Sequence, residues 1–216
     1  VPTTDAELIK SFPSYCSPNI WPEKHLPKLR SAFQTLGGIM VDTGKVLARR
    51  CDDYVSSKSP EYSKNSPNLI EELIVKSRVH KGRLLHYFPL TKEQLAATTA
   101  TSQSSWCGWH NDHGSLTGLT SNMFLNPQGV EVENPDPGAG LYIKTRTGGI
   151  VQVKFPGDQL AFQIGEAAQI HSGGLLQATP HAVRGPPASP SRRASAATPS
   201  RCSCSPCGTP AWRSPR

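Results

Sequence analysis

Three residues constrain this chain more than anything else in it. His110 and Asp112 stand two apart in His110-Asn111-Asp112, and His181 lies far along the chain in Ala178-Thr179-Pro180-His181-Ala182. On a strand, residues two apart share a face, so an imidazole and a carboxylate in this spacing converge on one point. A distant histidine joins them only if the fold sets strands remote in sequence side by side. H-x-D recurs by chance in many chains, so its weight depends on its surroundings.

Two His and one carboxylate on one face of a metal ion leave the opposite face open, the donor set of non-haem Fe(II) oxygenases. The chain around the motif suits strands that bring such ligands together. Early on, Thr4 and Asp5 can cap a short helix, while Pro13, Pro18 and Pro22 forbid a long one. Leu26, Leu29, Phe33, Leu36, Ile39 and Met40, continued by Val46, Leu47 and Tyr54, predict one long amphipathic helix with a bend near Gly37-Gly38. Residues 56–68, with Pro60 and Pro67, predict a loop, and residues 69–79 a shorter helix.

From Arg83 the pattern changes. Arg83-Leu84-Leu85-His86-Tyr87-Phe88 reads as an aromatic-rich strand stopped by Pro89, and residues 92–105 as a small, polar surface loop. Residues 115–124, 140–145, 150–154 and 159–164 predict further strands, with Thr147-Gly148-Gly149 as a hairpin turn. Helices followed by antiparallel strands indicate α+β, with the strands closing as a double-sheet jelly roll. One domain over 1–185 is expected, helical over 1–82 and jelly roll over 83–185.

Beyond Gly185 the composition breaks. Residues 186–216 hold 7 of the chain's 20 Pro, three Cys and one large hydrophobic residue, Trp212, which predicts a disordered tail. The tail also explains the net charge of +7. Six Arg follow Val183 with no acid, leaving 17 basic residues against 16 acidic in the body, so no nucleic-acid footprint is expected. Cys16, Cys51 and Cys107 are scattered singly and read as reduced thiols of an intracellular, cytoplasmic protein. No apolar run is long enough to span a membrane. The chain opens on Val1 without Met, from which residues of the natural N-terminus are expected to be absent.

The stretch Trp106-Cys107-Gly108-Trp109-His110-Asn111-Asp112-His113-Gly114-Ser115-Leu116-Thr117-Gly118-Leu119 resembles the isopenicillin-N-synthase-like 2-oxoglutarate/Fe(II) dioxygenase superfamily. Within it, a plant and algal branch is matched by Pro13-Ser14-Tyr15-Cys16, Asn19-Ile20-Trp21-Pro22, His80-Lys81-Gly82-Arg83-Leu84-Leu85, Gly140-Leu141-Tyr142-Ile143, Gln163-Ile164-Gly165-Glu166 and Ala178-Thr179-Pro180-His181. The resemblance covers roughly 1–184. It implies His110, Asp112 and His181 as catalytic iron ligands, with Fe(II), 2-oxoglutarate and O2 as cofactor and co-substrates. Ascorbate is an optional accessory, and the substrate is expected to be a small organic molecule oxidised at a C–H bond.

One expected feature is missing. The family places Arg-x-Ser or Arg-x-Thr on a strand after the distal His, where the Arg pairs with the far carboxylate of 2-oxoglutarate. Arg193-Ala194-Ser195 has the letters without a strand pattern. Synonymous codons for residues 194–207, read one base earlier, can encode Gly-Val-Ser-Arg-Asp-Thr-Phe-Ala-Val-Phe-Met-Gln-Pro-Met-Trp, which resembles that last strand. A frame change after Arg184 is therefore expected, with the jelly roll lacking its last strand and Cys202-x-Cys204-x-x-Cys207 carrying no zinc. Two alternatives remain open: a catalytically impaired metal-binding product without the co-substrate anchor, and an oxygenase that does not use 2-oxoglutarate.

Tyr87 and Arg184 are weaker candidates for contacting co-substrate, each weighed against a role in packing or pairing. Arg83 and Arg146 read as solvated or paired. His113, of the opposite strand parity to Asp112, reads as a supporting histidine outside the ligand set. His80 and His86 read as structural and His171 as a surface residue.

Overall fold

The computed structural model describes residues 3–65, 69–77, 80–88, 105–186, 196–198 and 200–204. Helix α1 (Ala6–Ser11) begins where Asp5 accepts hydrogen bonds from the Glu7 and Leu8 amides. Helix α2 (Leu29–Lys58) runs for 30 residues, through Gly37-Gly38 and into the stretch expected to be loop. Its buried face is Met40, Gly44, Ala48, Cys51, Asp52 and Val55, whereas Leu36, Ile39, Val46 and Tyr54 are exposed. The expected stripe thus identifies the helix but largely the wrong face, because small residues let the helix lie close to its neighbours. A Cβ added at Gly118 would come within 3.0 Å of Met40 Cε.

Helix α3 (Pro60–Asn65) also replaces expected loop, opening on a proline whose missing N–H costs nothing at a helix start. Helix α4 (Ile70–Lys76) has no cap from its own chain neighbour. Asp52 of α2 serves instead, accepting from the Ile70 and Glu71 amides at 2.9 and 2.8 Å and from the Tyr62 hydroxyl at 2.9 Å. Burial, followed by that hydrogen bond, pushes the Tyr62 phenol well above its ordinary range. Around this cap Ala48, Cys51, Val55, Ile70 and Ile74 form a core that also takes in Leu116 of the sheet.

The strands are β1 (Lys81–Leu84), β2 (Ser105–His110), β3 (Leu116–Leu119), β4 (Met123–Leu125), β5 (Glu131–Val132), β6 (Gly140–Lys144), β7 (Ile150–Val153), β8 (Ala161–Ile164), β9 (His181–Arg184), β10 (Ala196–Thr198) and β11 (Ser200–Cys204). A short helix α5 (Glu166–His171) follows β8. Two sheets have four strands each, in the orders β1-β11-β3-β8 and β2-β9-β6-β7, and a third joins β10, β4 and β5. All these pairs are antiparallel. Helices first and antiparallel sheets after give the α+β class expected.

Boundaries differ where local chemistry intervenes. β1 is shorter than the aromatic strand expected, and residues 89–104, most of the expected polar loop, lie outside the described residues. The strand expected over 115–124 is two strands interrupted at 120–122. The β6–β7 hairpin turns as expected, with Gly148 at φ +85° and the Thr145 amide donating to Gly149 O at 2.8 Å.

Two short strands come from the tail. Ala196–Thr198 pairs with β4, and Ser200–Cys204 fills the position between β1 and β3. These eight residues stand in ladders, and the remainder of 187–216 lies outside the described residues. The physical reason is that ladder hydrogen bonds are made by the backbone, and two facing strand edges can accept a segment whose side chains carry no strand pattern. Among the described residues no helix is long and apolar enough to cross a membrane.

Candidate metal centre

β2 ends on His110, whose backbone pairs with His181, the first residue of β9. Asp112 stands two residues beyond β2, in the turn leading to β3. Loop restraint therefore brings it beside the histidines, where simple strand alternation was expected to do so. His110, Asp112 and His181 each offer a ligand atom within 4.8 Å of the others. His181 is fully buried, while the His110 and Asp112 side chains keep 34 and 19% of their exposure.

Both imidazoles are oriented by the carbonyl two residues earlier in the chain. His110 Nδ1 lies 2.8 Å from Gly108 O and His181 Nδ1 lies 2.9 Å from Thr179 O. A carbonyl only accepts, so each Nδ1 carries the proton and each Nε2 keeps its lone pair. Those Nε2 atoms lie 3.9 and 3.8 Å from the same oxygen, Asp112 Oδ1. Two imidazole nitrogens and one carboxylate oxygen this close together fit a first-row divalent ion such as Fe(II). Cys107 Sγ adds a contact of 3.7 Å to His110 Nδ1.

The start of α5 fixes the turn that carries Asp112. The Gly165, Glu166 and Ala167 amides donate to Ser115 O, Asp112 O and Gly114 O at 3.0, 2.8 and 3.2 Å. A side chain on Gly165 would overlap Gly114 O and come within 2.8 Å of Asp112 O. The Glu166 carboxylate accepts from Asn111 Nδ2 at 3.3 Å and sits 2.7 Å from His113 Nδ1. His113, then Asn111, holds that carboxyl below the usual range. His113 is thus outside the ligand set, with a side chain 90% exposed.

Gln163 of β8 was not singled out from the sequence. Its Nε2 donates to Asp112 Oδ2 at 2.6 Å and lies against the His181 ring. The triad therefore sits between the two four-stranded sheets. Two residues past His181 along β9, Val183 joins Leu119, Leu141, Val153 and Phe155 around a cavity of about 530 Å³.

The weaker candidates go elsewhere. Tyr87 stacks on Trp106 with ring centroids 5.3 Å apart. Arg184 pairs with Gly140 at the end of β9 remote from His181, with Nη1 3.7 Å from where a Cβ of Gly138 would stand. His86 packs edge-on against Phe88, and His171 ends α5 half-buried. Arg193 and Ser195 lie outside the described residues. Another Arg-x-Ser, Arg201-Cys202-Ser203, falls within β11. There Arg201 is opposite Leu119 and Arg83, and Ser203 is opposite Thr117 and Lys81. The letters were present in the sequence, but only the strand position separates them from the rest of the tail.

No family model and no curated protein matches the chain. Solved structures do. A Caulobacter crescentus protein provisionally named as a 2OG-Fe(II) oxygenase family member matches with TM-score 0.63 and 20% identity over 96% of this chain and 54% of its own. A provisionally named oxygenase from Shewanella oneidensis matches with TM-score 0.60 and 16% identity, over 88% of this chain and 60% of its own. A full-length Neurospora crassa protein in complex with alpha-KG and thymine matches with TM-score 0.52 and 17% identity, over 95% and 60%. The chain spans between about half and three fifths of these proteins, and across that span it shares their fold.

Proposed function

We propose that the chain is a non-haem Fe(II)- and 2-oxoglutarate-dependent oxygenase that uses O2 to oxidise a C–H bond of a small organic substrate. The observation that carries this is the convergence of two Nε2 lone pairs and Asp112 Oδ1, with both imidazoles fixed through Nδ1. We read the two four-stranded sheets as the halves of a jelly roll, and the chain as a member of the isopenicillin-N-synthase-like superfamily. Bound by His110, Asp112 and His181, Fe(II) would supply the redox chemistry that couples 2-oxoglutarate decarboxylation to substrate oxidation.

The chain's own residues orient and enclose. His181 is shut from solvent, and the inter-sheet cavity, walled by Leu119, Leu141, Val153 and Val183, is of the size that takes a small organic molecule. In the β11 register Arg201 stands opposite Leu119 and Ser203 opposite Thr117, whose other ladder partner is Gln163. Arg201 is therefore our candidate for the cation that pairs with the far carboxylate of 2-oxoglutarate. The frame change after Arg184 competes with that assignment. Coding DNA whose neighbouring frame lacks the Arg-x-Thr strand would remove the frame change and leave Arg201.

Succinate formation from 2-oxoglutarate, with Fe(II), O2 and ascorbate, tests the reading. Turnover is expected in the 216-residue chain and its loss in His181→Ala. Arg201→Ala is expected to raise the KM for 2-oxoglutarate by roughly tenfold or more, the scale of a lost charged hydrogen bond. Metal binding with no turnover would instead favour the impaired metal-binding product.

A further inference from the structure

Resting on that reading of the triad, we propose that Gln163 is a positioning residue that makes Asp112 a one-oxygen ligand. Its amide N–H holds Oδ2, so that Oδ1 alone is presented to the metal.

A carboxylate can meet a cation through one oxygen or two, and the second mode occupies a further coordination position. In this site the two oxygens are already differentiated. Oδ2 receives Gln163 Nε2 at 2.6 Å, a short charge-assisted hydrogen bond, whereas Oδ1 faces both histidine Nε2 atoms at 3.8 and 3.9 Å. Only a nitrogen can make that contact with a carboxylate, which fixes which end of the amide points to Asp112.

Gln163 is well placed to impose the choice. It is 7% exposed and its backbone pairs with Thr117 in the β3–β8 ladder. The next residue is tied as well, since Ile164 O accepts from the Thr179 amide two residues before His181. One short segment of β8 thus reaches the carboxylate ligand by a side chain and the distal histidine by its backbone. The amide also lies 3.2 Å from His181 Nε2 and 3.3 Å from Nδ1. Near-equal distances to both ring nitrogens indicate packing against the ring, and Nδ1 already donates to Thr179 O. The directed bond is the one to Asp112.

Removing the N–H while keeping the bulk should free Oδ2 to bind the metal. It should also loosen the carboxylate, because partners of metal ligands commonly account for roughly ten- to hundredfold in metal affinity. The test uses Co(II) alone as the probe with the whole chain, comparing wild type, Gln163→Met, which keeps the length without a donor, and Gln163→Glu, which puts an acceptor in place of the donor. Binding affinity and the visible Co(II) spectrum are read, together with unfolding of the metal-free proteins.

Both variants are expected to bind Co(II) roughly tenfold or more weakly and to change the spectrum, with metal-free Gln163→Met unfolding as wild type does. In wild type, the carboxylate stretches of 13C-labelled aspartate in a Co(II) difference infrared spectrum are expected to report one-oxygen binding, whether or not a variant folds. Affinity within twofold of wild type and an unchanged spectrum in Gln163→Met, or a two-oxygen signature in wild type, overturns the proposal. Wild type that binds no Co(II) overturns the metal reading of the whole triad and this inference with it, and is recognised because the failure precedes any change at Gln163.

Discussion

Asp52 and Asp112 are both carboxylates set among packed elements, and their surroundings treat them in opposite ways. Asp52, 6% exposed, accepts from two backbone amides and a hydroxyl, so both of its oxygens are used in joining α2, α3 and α4. Asp112 Oδ2 accepts from Gln163, and Oδ1 lies 3.8 and 3.9 Å from two imidazole nitrogens. The same contrast extends to their neighbours. On Asn111, next to Asp112 in the chain, on Gln163 and on Ser115 and Thr117 of the adjoining β3 segment, the buried side-chain oxygens have no partner among the described residues. Buried polar atoms are ordinarily satisfied, so a concentration of exceptions marks where another molecule or ion completes the bonding. Burial alone would have selected Asp52; what distinguishes Asp112 is the kind of atom it faces.

The comparison predicts that the two acids fail differently. Asp112→Ala should lose nearly all Co(II) affinity, and with it the stabilisation that metal gives wild type, about 2.7 kcal/mol at a hundredfold excess over Kd. Its metal-free unfolding should stay close to wild type. Asp52→Ala should do the reverse, destabilising the metal-free fold by roughly 2–4 kcal/mol through three lost hydrogen bonds and orphaned amides. Calorimetry should then register a Tm lower by about 5–15 °C, while the protein that remains folded binds Co(II) normally. Equal effects of the two substitutions on metal affinity would dissolve the distinction.

Gly165→Ala probes the boundary between the regions. Its added carbon cannot coexist with Gly114 O, so the turn carrying Asp112 must shift. A loss of about 1–3 kcal/mol is expected, accompanied by weaker Co(II) binding in titrations. Destabilisation without any change in binding would separate the turn from the ligand it carries.

The smallest expected effect is at His80, an exception on the helical side because its buried Nδ1 has no partner among the described residues. Burial, then Lys45, pushes its imidazole below the ordinary 6.5. The unfolded chain therefore takes up the proton first. Its contribution to stability is complete above about pH 6.5 and declines as pH falls toward the lowered folded value. Denaturant melts across that interval should show the decline in wild type and less of it in His80→Gln; parallel curves would exclude His80 as the cause.

The three residues that cluster, His110, Asp112 and His181, could be picked out in the sequence because H-x-D and a histidine after proline are local signals. What sets their geometry was less so. Gln163 reaches Asp112 only through the β3–β8 register, and Asp52 caps a helix other than its own. Neither relation leaves a mark at fixed sequence spacing. In α2 the periodicity located a helix, but size governed the packed face: Gly44, Ala48 and Cys51 are inside while Ile39 and Val46 are outside. The ladders of β10 and β11 could not be read from composition for a related reason. Composition describes what side chains can bury, and β11 is placed by backbone pairing on both sides.

That placement bears on how the molecule is made. β11 lies between β1 and β3, so the sheet they share cannot form until a segment synthesised after all its neighbours has inserted. Until then two strand edges face an empty slot, and the contact to be made, Lys81 with Ser203, is the most sequence-distant of the strand pairings among the described residues. Closure of this kind is slow, and open edges can recruit strands from other molecules. Yield on refolding should therefore depend on protein concentration, with the vulnerable interval set by the arrival of five residues near the end of the chain.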